Sequence, residues 1–212
     1  MDSRLLQLSD SAFPSGTFAH SFGFEALRQL GLLTEAQLPR WLRERTWSTA
    51  LSALPFLDDA HQRSPDAADR AADAFLSSHV ANRASRAQGQ AFLLAAEATF
   101  ASEAVSALRT SLPHSHVAVA TGAALRCAGV LLPDARRVFL YGAVRSALSA
   151  SVRLGIVGPL RGQGILYGLH PLFAEVLAAT AGLTGADACS STPLLDTAQL
   201  AQDRLYSRLF QS

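Results

Sequence analysis

The chain has 212 residues, 49% of them hydrophobic and 17% charged, with a formal charge of +1. This length and balance describe one well-buried domain, and the near-zero charge removes the field that would gather nucleic acid or acidic lipid. All 18 positive residues are Arg, which excludes P-loop nucleotide binding and pyridoxal chemistry, since each needs a Lys.

Apolar residues recur at helical spacing along nearly the whole chain, and Val and Ile are scarce beside Ala and Leu, so an all-α fold is expected. The stretch AFPSGTFAHSFGFE (12–25) reads as a turn made by Pro14 and Gly16. Ser21 then caps a short helix with Glu25 in its first turn, and Phe13, Phe18, Phe22 and Phe24 anchor the turn by burial. Thr34 opens a long helical region to His61, interrupted at Pro39 and Pro55. RSPDAADR forms a turn, after which Ala67 to Phe100 gives one or two Ala-rich helices. SLPHSH (111–116) breaks the chain ahead of a tightly packed helix rich in small residues. Leu132-Pro133-Asp134 starts the longest regular segment, to about Gly155, with Tyr141, Val144, Leu148 and Val152 on one stripe. GIVGPLRGQG reads as a sharp turn feeding a helix from Ile165 to about Ala181.

This suggests a helical body over 1–182, a flexible linker over 183–193 and a C-terminal helix over 194–212. In that last helix Leu205, Tyr206, Leu209 and Phe210 make a broad apolar face that must pack on the body or dock on another protein. No segment reaches 18 uninterrupted apolar residues and MDSRLLQLSDSAF lacks the pattern of a secretory leader. A cytoplasmic protein with no membrane role is expected.

The chemical inventory is thin. Cys127 and Cys189 do not form C-x-x-C, and Cys127 reads as a small packing residue buried in a helix. G-x-S-x-G and E-x-x-H are absent, and Glu97 and Glu103 do not share a helix face. His114-x-His116 is the one close histidine pair, a weak signal for a late transition metal. An alternative function is an all-α hydrolase-like enzyme with a pocket between helices, using Cys127 or His20.

LLQLSDSAFPSGTFAHSFGFEA resembles the N-terminal signature of the UreF family of urease accessory proteins. SASVRLGIVGPLRGQ (149–163) and RLYSRLF (204–210) resemble two further motifs of that family, in the same order, with SRAQGQAFL (85–93) in support. The resemblance implies a single-domain all-α bundle of the UreF type, homodimeric, cytoplasmic and without catalytic activity or a cofactor of its own. It implies partnership with UreD (UreH), with the GTPase UreG that binds the GTP, and with urease apoprotein, to which the assembly delivers nickel. Matched by motif, Glu25 and Arg153, with His20 and Ser21 from the same opening segment, fall at the UreG contact. Tyr206, Arg208, Leu209 and Phe210 fall at the UreD contact, and His116 stands where the family commonly carries a His, open to two readings: structural packing or a place along a nickel route. Two departures stand out: Thr17 replaces a second Gly of the first motif, and Gln202-Asp203 replaces the usual His-Glu.

Overall fold

A computed structural model describes residues 3–100 and 102–212, so Met1, Asp2 and Ala101 lie outside the described residues. All the regular structure among them is helical, as the spacing of apolar residues requires: twelve α-helices and three short 3-10 turns. The helices are α1 (Ser3–Ser9), α2 (Phe24–Gln29), α3 (Leu38–Ser52), α4 (Leu54–Gln62), α5 (Pro65–Phe75), α6 (His79–Phe100), α7 (Glu103–Ser111), α8 (Val117–Cys127), α9 (Leu132–Arg153), α10 (Pro159–Gly168), α11 (His170–Ala179) and α12 (Pro193–Leu200).

The prolines mark helix starts, because a residue without an N–H costs nothing in the first turn. Pro39, Pro55, Pro65, Pro133, Pro159, Pro171 and Pro193 each sit in the first turn of a helix. Thr34 caps a preceding turn rather than α3: its N–H and hydroxyl both donate to Oε1 of Gln37 at 3.0 Å, and the helix begins at Leu38. The glycines of GIVGPLRGQG do not stop a helix as expected. α10 spans Gly162 and Gly164, and the break to α11 falls at Leu169.

α8 lies at the centre, with every residue from Ala118 to Leu125 buried. Two glycines bring its surroundings close. A Cβ on Gly122 would stand 2.4 Å from the carbonyl oxygen of Leu57 in α4, and one on Gly89 of α6 would stand 1.8 Å from that of Ser115. The turn before α8 is held from α5 by the buried carboxylate of Asp69, which accepts the backbone N–H groups of His114, Ser115 and His116 at 2.7–2.9 Å. α9 flanks this centre with Val144 and Leu148 buried and Tyr141 and Val152 partly so. A buried pair, Arg136 of α9 and Asp58 of α4, with N–O 3.4 Å, ties the two helices. Arg136 also donates to Oγ1 of Thr180 just after α11, at 2.7 Å. Cys127 is exposed at the end of α8, not buried as read from its Ala-rich surroundings.

Residues 183–193, expected as a flexible linker, carry a 3-10 turn at Gly185–Asp187 with Thr184 and Asp187 bonded reciprocally. Gly185 N–H donates to Asp59 Oδ2 at 2.8 Å and Cys189 N–H to the carbonyl of Leu51 at 3.2 Å, which pins this stretch to α3 and α4. The C-terminal helix is shorter than expected: α12 ends at Leu200, a 3-10 turn follows over Ala201–Arg204, and residues 205–212 are not helical.

Candidate partner-binding site

The opening segment, the end of α9 and the C-terminal residues fold into one clasp. Two features of the local sequence make this possible. Gly16 (φ 74°) and Gly23 (φ 87°) take left-handed conformations open to glycine at little cost. Gly23 also lets α12 approach, since a Cβ there would lie 3.0 Å from the carbonyl of Leu195 and the N of Gln199. Thr17 is accommodated because its neighbour Gly16 supplies the positive φ; Thr17 enters an ordinary 3-10 turn and its hydroxyl meets that of Ser15 at 3.1 Å.

Glu25 is the centre of the clasp. It is buried, and its carboxylate accepts the N–H of Leu209 at 2.6 Å on Oε1. On Oε2 it accepts the N–H of Phe210 at 3.2 Å and the side-chain amide of Gln202 at 2.7 Å. The same Gln202 nitrogen donates to the carbonyl of Phe210 at 3.2 Å, so an amide at this position supplies a donor that links Glu25 to the tail. A second strand of contacts runs alongside. Gln211 N–H donates to the carbonyl of Ala19 at 2.8 Å, Ser21 N–H donates to the carbonyl of Ser212, and His20 Nδ1 pairs with Oγ of Ser212 at 2.6 Å. Burial, with the charge of Arg83 adding to it, lowers the pKa of His20 to about 4, so the ring is neutral near pH 7.

Arg153, at the last residue of α9, closes the clasp from the side. Its guanidinium lies 3.6 Å from the ring centroid of Phe18 and 4.3 Å from that of Phe210, and it donates to the carbonyl of Phe18. Cation–π contact on two faces holds it in one orientation. Burial lowers its pKa, against the opposing charge of Glu25.

The structure therefore brings together Glu25, Arg153, His20, Ser21, Leu209 and Phe210. It does not present them all to solvent. His20, Ser21, Glu25 and Phe210 are buried, whereas Phe18 is 69% exposed, Leu209 55%, and Tyr206 and Arg208 are exposed. Three expectations need correction. Phe18 is not an anchor by burial, because it serves as a lid on Arg153 instead. Ser21 does not cap α2 with its side chain: Gly23 is the cap residue, and Oγ of Ser21 is buried with no hydrogen-bond partner among the described residues. The apolar residues 205–210 do not form one helical face, since the amides of Leu209 and Phe210 point at Glu25.

His116 lies away from the clasp, 1% exposed, its Nδ1 with Oγ of Ser85 at 3.1 Å and its Nε2 with Oδ1 of Asp73 at 3.2 Å. Both ring nitrogens are thus engaged by side chains, and burial pushes its pKa down against the pull of Asp73. Among the described residues no group of three or more His, Cys, Asp or Glu side chains is gathered as a metal site would gather them. Sequence reasoning marked Gln202 only as a departure from the family pattern, and assigned no role to Arg28 or Gln29. Gln29 ties the tail by donating to the carbonyl of Ser207 at 2.8 Å, and Arg28 lines a cleft with Glu25, Gln29, Arg153 and Arg208. The signal for Arg28 was its place one helical turn after Phe24 and Glu25, on the first helix of the motif.

Such a fold and clasp define a class: a single-domain all-α protein whose most elaborate feature is a surface joint between distant segments. Comparison with known proteins places it within that class. A family model described as UreF matches residues 32–170. Urease accessory protein F of Arabidopsis thaliana is 32% identical over 218 residues, covering 97% of this chain and 90% of its own length. UreF of Rhizobium johnstonii is 32% identical over 220 residues, covering 99% and 95%, and that of Trichodesmium erythraeum 31% over 219 residues, covering 97% and 94%. The chain belongs to the UreF family of urease accessory proteins, as the three motifs indicated. The full-length relatives extend over the opening segment and the tail, both outside the span of the family model.

Proposed function

We propose that the chain is a non-catalytic adaptor in urease maturation, acting in the cytoplasm as a homodimer. It joins UreD (UreH) to the GTPase UreG and so helps that assembly deliver nickel, as cargo, to urease apoprotein. Family membership supports the urease setting. The observation that carries the adaptor role is the clasp, in which the buried Glu25 carboxylate is satisfied from within by the tail while Phe18, Tyr206 and Leu209 stand out at its rim. Exposed aromatic residues on a rigid mount beside Arg side chains are the composition of a protein-binding hot spot, because they desolvate well and lose little entropy on docking. The hydrolase alternative lacks such support: Cys127 is exposed at the end of α8, His20 is buried against Ser212, and no hydrogen bond joins them among the described residues.

The test is capture of purified UreD and UreG by variants Phe18→Ala and Tyr206→Ala. Tyr206 is fully exposed, so Tyr206→Ala should move stability by less than about 0.5 kcal/mol, whereas Phe18→Ala also gives up the cation–π contact with Arg153 and should cost about 0.5–1 kcal/mol, which thermal unfolding checks. Capture of at least one partner should fall tenfold or more. Undiminished capture of both by the double variant would remove the clasp rim from the adaptor surface.

A further inference from the structure

The cleft beside the clasp is short of negative charge. Its volume is about 370 Å³ and it is lined by Glu25, Arg28, Gln29, Arg153, Leu154, Ser207, Arg208 and Leu209. Three guanidinium groups face one carboxylate, and that carboxylate has both oxygens taken up by Leu209, Phe210 and Gln202. No carboxylate pairs with Arg28 or Arg153 within 4 Å among the described residues. Arg208 reaches Asp203 at 3.5 Å, but Asp203 is shared with Arg83 and His79. Arg153 spends one donor on the carbonyl of Phe18 and lies against two rings, and no further hydrogen bond of its guanidinium is formed among the described residues. A guanidinium already held in one orientation recognises a planar anion with two parallel bonds at small entropic cost.

We propose that this cleft receives an Asp or Glu side chain of a partner protein, clamped by Arg28, Arg153 and Arg208. This deepens the adaptor reading and rests on it. A carboxylate on a protein fits better than a free phosphate for two reasons on the molecule itself. Phosphate sites are commonly built from backbone N–H groups, and the pair available here, from Leu209 and Phe210, is already plugged by Glu25. The rim also carries exposed Leu209 and, near it, Tyr206, apolar area that suits the flank of an acidic side chain on a protein surface.

The experiment measures affinity of the full chain for purified UreG and for purified UreD between 50 and 300 mM salt. Arg28→Gln and Arg208→Gln, both exposed, are compared with wild type, and Arg153→Lys tests bidentate geometry with charge kept. Thermal unfolding checks that each variant is folded. Expected is a tenfold or greater loss for one partner in each Gln variant, with a flatter salt dependence. A double-mutant cycle should then couple Arg28 to one acidic residue of that partner. Wild-type capture with unchanged affinity and salt slope in the Arg28→Gln, Arg208→Gln double variant overturns the carboxylate site and leaves the adaptor reading standing. Failure of wild type to capture either partner overturns both. Displacement of the partner by 10 mM inorganic phosphate, with submillimolar phosphate binding to the isolated chain, would assign the cleft to a phosphate and also overturn the proposal.

Discussion

The substitution Glu25→Gln is nearly isosteric, so its effect isolates the carboxylate. In the native clasp two oxygens accept three donors: Leu209 N–H on one, and Phe210 N–H and the Gln202 amide, both buried, on the other. A glutamine has one oxygen and one NH2. Placing the oxygen towards Phe210 and Gln202 keeps two bonds, loses the one from Leu209, and sets the new NH2 against the Leu209 N–H. All remaining bonds lose the assistance of the negative charge. One orphaned donor with weakened neighbours costs about 2–3 kcal/mol. Because only the tail needs to release to expose these groups to water, the cost should appear as local opening rather than global unfolding. At about 1.4 kcal/mol per factor of ten, hydrogen exchange at the Leu209 and Phe210 amides should speed up roughly 30- to 150-fold. Amides in α8 should exchange as before. Native-state exchange followed by NMR reads both sets in one sample. Acceleration of less than threefold at Leu209 and Phe210 would mean that Glu25 is not what holds the tail, and the clasp as described would be wrong.

Two further outcomes follow from the interior. Gly89→Ala places a Cβ 1.8 Å from a backbone oxygen, which no rotamer change relieves, so urea unfolding should show a loss of about 2–3 kcal/mol or more; a loss below about 0.5 kcal/mol would refute the close approach of α6 to the 114–116 turn. Burial raises the pKa of Asp58 to about 6, against Arg136 and with Asp59 adding to the rise. The folded state therefore holds this proton more tightly than the unfolded chain, and the associated stability, present below the ordinary Asp value of 3.8, is lost as pH rises through about 6. His20 works the other way over an overlapping range, being depressed to about 4, so the informative quantity is the difference between wild type and Asp58→Asn. That difference should shift against the wild type between pH 4 and 6, by no more than about 3 kcal/mol; a flat difference would contradict a buried, reluctantly ionised Asp58.

Much of the helical layout was legible because proline acts through local geometry. Pro39, Pro55 and Pro133 mark starts whatever the rest of the chain does, and the small residues 118–124 announce a helix packed on all sides. The misread places are those where a distant segment decides. Gly162 and Gly164 look like a turn in sequence, yet Gly162 lies in α10 because a Cβ there would meet Leu148 of α9 at 3.2 Å, so lost helix propensity is offset by close packing. Residues 205–210 have helical spacing, but a helix needs the amides of Leu209 and Phe210 for its own ladder, and Glu25 takes them. Similarly, the burial of Glu25 could not be read from HSFGFE, since its partners lie more than 175 residues later. The family resemblance found the segments of the site; only the fold showed that they touch, and that Arg28 and Gln202 belong with them.

The clasp joins Ala19–Glu25 to Leu209–Ser212, so it cannot assemble during synthesis until residues 209–212 have emerged. Most of the contacts among α3 to α11 do not involve those residues and can form beforehand. A chain truncated before Leu209 would thus keep most of its helix packing and lack the joint. A partner that reads the joint would therefore discriminate against copies truncated before it, without any separate quality-control step.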